Sequence, residues 1–193
     1  AGRGITHSER TDPAKRAGGP ALHGLQLWVA LPDEHEEVAP SFVHHPAHTL
    51  PERQRDGTTL RVLAGSAFAM TSPVTTLSPL FYAEATLEAG ASFTLPDEYA
   101  ERALYLVSGA IHLAGERIDT PQMVVLERGA ASIRAETGAR VMFLGGEPIG
   151  ERHIWWNFVS SRKERIEEAK ADWKAGRFAA IPGDDQEFIP LPE

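Results

Sequence analysis

Short apolar runs separated by turn residues dominate the middle of the chain, from residue 60 to residue 146. The runs are rich in Leu, Val, Ile, Ala and Phe, and Gly residues or a Ser-Pro pair interrupt them. Strands of this length at a spacing of roughly 8–12 residues predict a β-sandwich or a barrel. The predicted strands are residues 60–64, 80–87, 103–107, 110–113, 123–126, 131–135 and 140–144.

The segments before and between these runs give weaker signals. Residues 25–29, Leu-Gln-Leu-Trp-Val, predict one further strand. Residues 33–59 are rich in Glu, His, Pro and Arg, so we expect a linker at the surface. The pair Ser108-Gly109 predicts a tight hairpin, because glycine adopts a positive φ without steric cost.

One helix is predicted near the end of the chain, over residues 162–175. Ser161 and Glu164 have the spacing of a capping box, in which each side chain bonds to the other residue's backbone amide. Ile166, Ala169 and Trp173 follow at helical spacing and form one apolar face. We expect this face to pack on a barrel wall.

The composition narrows the function classes. The 193 residues include 27 acidic and 19 basic side chains, a net charge of −8 and no cysteine. This acidic balance argues against direct nucleic acid binding and favours protein partners. The absence of cysteine excludes disulfide scaffolds, zinc fingers, iron–sulfur sites and thiol nucleophiles, and it fits a reducing, cytoplasmic compartment. No apolar run approaches the ~20 residues of a membrane helix, so no membrane partner is expected.

Two groups of residues could carry metal chemistry. If residues 5–9 form a strand, His7 and Glu9 project from the same face, because side chains alternate along a strand. An imidazole beside a carboxylate suits Fe(II), Mn or Zn, although a catalytic metal usually takes at least three protein ligands. The alternative is an exposed surface pair near a chain end.

The second group is a histidine cluster in the expected linker. His44, His45 and His48 lie between prolines, without a carboxylate placed to support them, so a solvated loop is the favoured interpretation. Three further histidines stand alone and are expected to be structural: His23, His112 and His153.

Several stretches of the sequence together resemble the pirin family. The two longest are AGRGITHSE at residues 1–9 and LHGLQLWVALP at residues 22–32. Residues 72–74 (SPV), 144–148 (LGGEP) and 155–161 (WWNFVSS) match as well. The resemblance extends over essentially the whole chain. It implies an all-β fold of the cupin type, a double-stranded β-helix or jelly-roll barrel.

The resemblance also implies a metal centre. Pirins are bicupins, with two barrels in tandem and one iron in the N-terminal barrel, held by three His and one Glu. The family's third His and its Glu come from the stretch written here as GITHSE, which makes His7 and Glu9 the implied ligands of Fe(II). Glu9 is in addition the implied catalytic residue, as the acceptor of a substrate proton. The other two ligands come from a His-x-His-x-Gly segment, and no His-x-His occurs in these 193 residues.

The chain is therefore expected to be a fragment, with the remaining His ligands upstream of Ala1. Residues 1–38 are the expected end of the metal-binding cupin, 39–58 a linker, 59–150 the complete C-terminal cupin, and 151–193 a helix and tail. One iron is expected per full-length protein. Because two ligands hold a metal only weakly, the chain alone is expected to bind no stoichiometric iron.

The second barrel keeps the spacing of the general cupin pattern from Gly90 to Gly109 but not its ligands. Pro96, Glu98 and Arg102 occupy the ligand positions. Proline offers no donor atom, and arginine is a permanent cation that repels a metal. We expect this barrel to be metal-free, and either to support the first barrel or to line a cleft against it.

The resemblance leaves two functions open, and a third interpretation follows from the fragment itself. One is an Fe(II)-dependent dioxygenase of the quercetin type, whose partners are a small flavonol-like substrate and O₂. The other is a non-enzymatic, redox-sensitive regulator that acts through protein partners. The third is an inert β-barrel that carries half a metal site.

Overall fold

The alternating apolar pattern of the middle segment forms two β-sheets in the computed structural model, which describes residues 1–19 and 23–192. The chain divides into two units. Residues 43–149 form one, here called the barrel unit, and residues 1–42 together with 150–193 form the other, here called the terminal unit.

The barrel unit contains eleven strands, which include every strand predicted between residues 60 and 146. They are β1 (Glu52–Arg55), β2 (Thr58–Ala67), β3 (Met70–Thr71), β4 (Leu80–Leu87), β5 (Ser92–Leu95), β6 (Glu101–Ser108), β7 (Ile111–Leu113), β8 (Glu116–Ile118), β9 (Gln122–Leu126), β10 (Ala131–Ala135) and β11 (Ala139–Gly146). The all-β class predicted from the sequence is confirmed.

Two antiparallel sheets enclose the core of the barrel unit. The larger sheet has the order β1-β2-β4-β11-β6-β9, with β3 paired to β2, and the smaller has the order β5-β10-β7-β8. In the strands that border the core, alternate residues point inward, so that Leu60 and Val62 of β2 are buried in one core with Ile111 of β7 and Ile133 of β10. One hydrophobic core therefore joins both sheets, as in a jelly roll.

The expected hairpin at Ser108-Gly109 is not formed. Strand β6 pairs with β11 and β9, whereas β7 pairs with β10 and β8. Gly109 has a positive φ, as expected, but the turn carries the chain from one sheet to the other. The prediction failed because turn chemistry alone does not determine which strands pair.

Four phenylalanines fill the centre of the barrel. The ring of Phe143 stacks on Phe93 with centroids 5.1 Å apart, and Phe68 lies 5.4 Å from Phe93 and 5.9 Å from Phe81. Phe68 belongs to the turn between β2 and β3 and has a φ of 57°. Burial of one such ring stabilises the fold by about 2 kcal/mol, which offsets the cost of that backbone conformation.

The expected linker at residues 39–58 contains regular structure. Residues 47–49 form a 3₁₀ turn, and β1 pairs with β2 over residues 52–55. All four residues of β1 are exposed, and three are charged. An edge strand with no buried side chain has no apolar alternation, so the hydrophobic pattern could not reveal it.

The terminal unit contains two helices and one hairpin. The helices are α1 (Pro13–Ala17) and α2 (Lys163–Lys174), and the hairpin strands are β12 (His153–Trp155) and β13 (Phe158–Ser160). Helix α2 confirms the helix predicted over 162–175. It packs on β12 and β13, with Ile166 and Ala169 buried. None of the helices in the described ranges is long and apolar enough to span a bilayer.

Two local predictions in the terminal unit are wrong. Residues 25–29 form no strand, and Leu25 and Trp28 are 50% and 52% exposed. The apolar residues are there, but the described chain supplies no neighbouring strand to accept their backbone hydrogen bonds. Ser161 does not cap α2 either. Its hydroxyl donates to Glu36, and the backbone amide of Arg162 donates to Ser160 Oγ instead, at 3.2 Å.

We expect Gly65→Ala to destabilise the barrel unit by about 3 kcal/mol or more. Gly65 lies in β2 beside a register shift, has a φ of +68°, and a Cβ there would be 1.9 Å from the carbonyl oxygen of Leu80. Gly90→Ala is the matched control. Its φ is +83°, but a Cβ would meet no atom within 4 Å, so only about 1 kcal/mol should be lost. Urea unfolding followed by far-UV circular dichroism compares the two variants, and equal losses would contradict the expected clash.

Candidate functional site

The segment that carries His7 and Glu9 runs along the terminal unit without forming a strand. Residues 1–12 contain no hydrogen-bonded strand, which differs from the strand considered for residues 5–9. Its burial nevertheless alternates: Gly2, Gly4 and Thr6 are half-buried, whereas Ile5 and His7 are exposed. The alternation ends at His7, because Ser8, Glu9 and Arg10 are all exposed, and the segment begins with a turn in which the Gly4 amide donates to the Ala1 carbonyl at 3.0 Å.

Close packing holds the first residues of this segment. A Cβ on Gly4 would be 2.4 Å from the ring of Phe178, so only glycine fits against that ring. The amide of Arg3 donates to the carbonyl of Val38 at 3.0 Å, and Arg165 donates to the carbonyl of Arg3 at 3.1 Å. The backbone is thus fixed by partners from both ends of the chain.

A charged cluster holds the residues on either side of Glu9. Arg10 donates two hydrogen bonds to the carboxylate of Asp184, at 2.7 and 2.8 Å, and one to Glu187 at 2.8 Å. Ser8 bonds to the same Asp184 carboxylate. The hydrogen bond from Arg10, aided by Ser8, lowers the pKa of Asp184 below its usual range, so it is ionised at neutral pH.

An aromatic cluster lies behind the segment in the terminal unit. Phe158 and Phe178 stack with centroids 6.1 Å apart, and the ring of Trp173 packs against Phe178 at 5.7 Å and against Trp156 at 5.3 Å. The partners of Trp173 are therefore rings of β13, of the β12–β13 turn and of the chain after α2. This cluster gives the small terminal unit an apolar centre.

The half-buried carboxylate of Glu36 joins the two halves of the terminal unit. It accepts hydrogen bonds from the amide of Ser161 at 2.8 Å and from the hydroxyls of Ser160 and Ser161 at 3.0 Å. Arg152 forms an ion pair with it at 3.0 Å and also with Asp33 at 2.6 Å. Burial raises the pKa of Glu36, but the hydrogen bonds from Ser161 and Ser160 and the charge of Arg152 outweigh it, so the pKa is lowered.

Sequence reasoning missed both charged clusters. Glu36 and Ser161 are separated by 125 positions, and Arg10 and Asp184 by 174. No local spacing links such pairs. Ser161 was the one residue of these clusters that the sequence marked out. It was predicted to cap α2, but its hydroxyl donates to Glu36 and not to the helix.

The structure does not bring the sequence-predicted site residues into a complete metal centre. Across residues 1–19 and 23–192, no group of three or more His, Asp or Glu side chains is placed to hold a metal ion. His7 and Glu9 are both exposed in the terminal unit, whereas His44 and His48 are exposed in the barrel unit. The histidine cluster shows no carboxylate that would turn it into a site.

The ligand positions of the cupin pattern in the barrel unit hold a buried cation. Arg102, at the start of β6, is 2% exposed and forms an ion pair with Asp97 at 3.1 Å. Its guanidinium also donates to the carbonyls of Pro96 and Glu127. A permanent positive charge in this place disfavours a metal ion.

An open cavity of about 430 Å³ lies beside the turn between β2 and β3. Tyr99, Glu98 and Glu147 line its polar side. Burial and the two nearby carboxylates raise the pKa of Tyr99, and its hydroxyl donates to the carbonyl of Ser66 at 2.7 Å. The cavity thus has an acidic rim and a phenol that is already engaged.

Comparisons with known proteins agree with this architecture. Residues 82–179 match the family model of the Pirin C-terminal cupin domain. A pirin-like protein of Caulobacter vibrioides is 50% identical over all of this chain and 67% of its own length. A Pseudomonas aeruginosa protein described as a candidate quercetin 2,3-dioxygenase is 34% identical over all of this chain and 62% of its own length.

A solved structure shares the fold. The crystal structure of a quercetin 2,3-dioxygenase from Acinetobacter baumannii is 31% identical with a TM-score of 0.78, and the match covers 86% of this chain and 57% of that one. The cupin fold predicted from the sequence is confirmed. The chain spans about two thirds or less of the length of these three proteins.

We expect Glu36→Gln to destabilise the terminal unit by about 2 kcal/mol at neutral pH, because charge-assisted hydrogen bonds are lost. All four tryptophans lie in this unit, so tryptophan fluorescence during urea unfolding reports on it alone. The exposed Glu34 belongs to the same turn, and Glu34→Gln should have little effect.

The pH dependence provides a further test of Glu36. Because its folded pKa lies below the ordinary value of 4.5, its contribution is complete above about pH 4.5 and is lost as the pH falls through the folded value. The stability difference between wild type and Glu36→Gln should therefore be constant at neutral pH and shrink in acid. A difference that grows in acid would contradict this assignment.

Proposed function

Because this chain belongs to the pirin family, we propose that it contributes His7 and Glu9 to an iron centre that oxidises a flavonol of the quercetin type with O₂. The observation that supports this best is the alternating burial of the first residues. His7 and Glu9 are exposed, while Gly2, Gly4 and Thr6 before them are half-buried and Arg10 after them is bound to Asp184. Two donors at i and i+2 are thereby available on the outer side of a fixed chain.

The imidazole of His7 and the carboxylate of Glu9 are ligand types that fit iron. Two ligands are too few for a catalytic site, so further ligands are required. An imidazole and a carboxylate belong to the set that non-haem Fe(II) takes, which is two His and one carboxylate with open positions. The described residues offer no third ligand beside them. The remaining imidazoles would come from outside this chain, in a protein whose relatives are about half as long again or more.

The exposed apolar residues of the terminal unit favour the proposal that this unit packs on a further barrel. Four exposed apolar residues lie close together in the chain: Leu25, Leu27, Trp28 and Val29. Ile5, in the segment that carries His7 and Glu9, is exposed as well. Apolar residues concentrated in one segment are typical of a surface that packs on more protein. We therefore propose that residues 1–38 belong to a metal-binding cupin, and that the barrel unit is the metal-free partner in which Arg102 fills the ligand position.

In this proposal each ligand residue has a definite role. Iron, when bound, would supply a Lewis acid that orients the flavonol oxygens toward O₂. His7 would bind it through the lone pair of a neutral imidazole nitrogen. Glu9 would bind through one carboxylate oxygen and accept the proton of the flavonol hydroxyl on a carboxylate oxygen. The small substrate and O₂ would be its partners, in a cytoplasmic protein without cysteine.

We expect the whole protein, loaded anaerobically with Fe(II), to consume O₂ in proportion to added quercetin. His7→Ala and Glu9→Gln should each weaken iron binding by more than about tenfold, because each removes a ligand. His48→Ala, which removes an exposed histidine of the barrel unit, is the matched control. Iron content and O₂ uptake are the measurements.

Two results would refute different parts of this proposal. Unchanged iron binding by His7→Ala would refute the site. Iron bound normally without O₂ uptake would refute the dioxygenase, and would favour a redox-sensitive regulator whose affinity for a protein partner depends on the oxidation state of the iron.

A further inference from the structure

The C-terminal tail, defined here as residues 184–189, lies against the segment that carries His7 and Glu9. Asp184 and Glu187 bind Arg10, and Asp184 also binds Ser8. At its other end, the tail is tied to α2, because Trp173 Nε1 donates to the carbonyl of Ile189 at 2.8 Å. We call residues 1–12, which carry His7 and Glu9, the ligand segment. The tail therefore connects the ligand segment to α2, the only long helix of the terminal unit within the described ranges.

The tail binds the side of the segment opposite to the two ligands. Ser8 and Arg10 are two positions apart and reach the same carboxylate, as do side chains on one side of an extended chain. Both residues are exposed, so the contact with Asp184, and not burial, holds this side of the segment. His7 and Glu9 alternate with Ser8 and Arg10 along the segment. The contact with Asp184 therefore holds the segment and leaves the donor atoms of His7 and Glu9 accessible.

The geometry of this contact distinguishes it from an ordinary surface ion pair. Single exposed ion pairs contribute little to stability, but bidentate Arg–carboxylate pairs and networks of several charges are the exception. Here one guanidinium bonds twice to Asp184 and once to Glu187. Arg10 and Ser8 are the immediate neighbours of Glu9, so the bonds act on the residue that must be oriented.

We propose that Asp184 is a positioning residue for the iron centre, which fixes the direction of His7 and Glu9 by holding Ser8 and Arg10. This inference rests on the proposed function, since it assumes that His7 and Glu9 bind iron. Groups that orient metal ligands change affinity without touching the metal. Asp184 would thus act through its two partners and would touch neither substrate nor iron.

The contact itself is tested without metal, by tryptic cleavage of this chain after Arg10 under native conditions. Cleavage there requires local release of the segment. We expect Asp184→Asn to accelerate this cut about fivefold or more. Asp185→Asn is the matched control, because it removes a neighbouring carboxylate that contacts Gln186 and not the ligand segment.

The positioning role is tested by anaerobic titration of the whole protein with Fe(II). Asp184→Asn should weaken iron binding about tenfold, and Asp184→Glu should restore part of it. Arg10→Gln should weaken it as well. The double variant Arg10→Gln/Asp184→Asn should lose no more affinity for Fe(II) than the single variant that binds iron more weakly, because both residues act through one contact. Tryptophan-detected unfolding of each variant measures the general loss of stability.

The outcomes separate this inference from the proposed function. If His7→Ala leaves iron binding unchanged, the proposed site is wrong and the positioning role with it. If His7→Ala abolishes iron binding while Asp184→Asn keeps its affinity within twofold, the site stands and the positioning role is overturned. The positioning role is also overturned if affinity falls only in proportion to stability, or if Asp185→Asn has the same effect as Asp184→Asn.

Discussion

The half-buried carboxylate of Glu36 is the central constraint on the terminal unit. This unit is assembled from the two ends of the chain, and its N-terminal half contributes only one short helix and a 3₁₀ turn among the described residues. No shared sheet joins the halves within those residues. Glu36 instead accepts bonds from Ser160 and Ser161 and pairs with Arg152. Together with the Arg10–Asp184 contact and the packing of Gly4 on Phe178, this ionised group joins the two halves. Loss of one partner would leave this carboxylate with fewer bonds to compensate for its partial desolvation.

The candidate iron ligands depend on the same kind of support. The segment from residue 1 to residue 12 lacks the ladder of hydrogen bonds that makes a strand rigid. Its shape comes from Gly4 against Phe178 at one end and from Arg10 against Asp184 at the other. A metal site requires ligands of fixed direction. In the proposed site, side chains of the C-terminal segment would set that direction by binding the residues next to the ligands.

The barrel unit follows a different rule, and for that reason it was the most predictable part. Its long strands β2 and β4 bury alternate residues over most of their length, and the sequence shows this period as alternating apolar positions. The strands that escaped prediction were β1, with no buried residue, and the short β3, β5 and β8. The failed hairpin at Gly109 shows the limit: local residues specify a turn, but the partner of each strand is selected by the core as a whole.

The sequence by itself determined the all-β class, helix α2 and the identity of His7 and Glu9 as the pair worth testing. These are properties of residues near one another, governed by periodicity and by the resemblance of a continuous stretch. Only the tertiary structure decided that Ser161 serves Glu36, that residues 25–29 remain outside any sheet, and that Asp184 meets Ser8 and Arg10. The first and third results involve contacts between residues more than a hundred positions apart. The second depends on the lack of a partner strand. None of them leaves a pattern in the local sequence. The physical reason is that a charge or a backbone amide is satisfied by whatever the folded chain brings within hydrogen-bond reach.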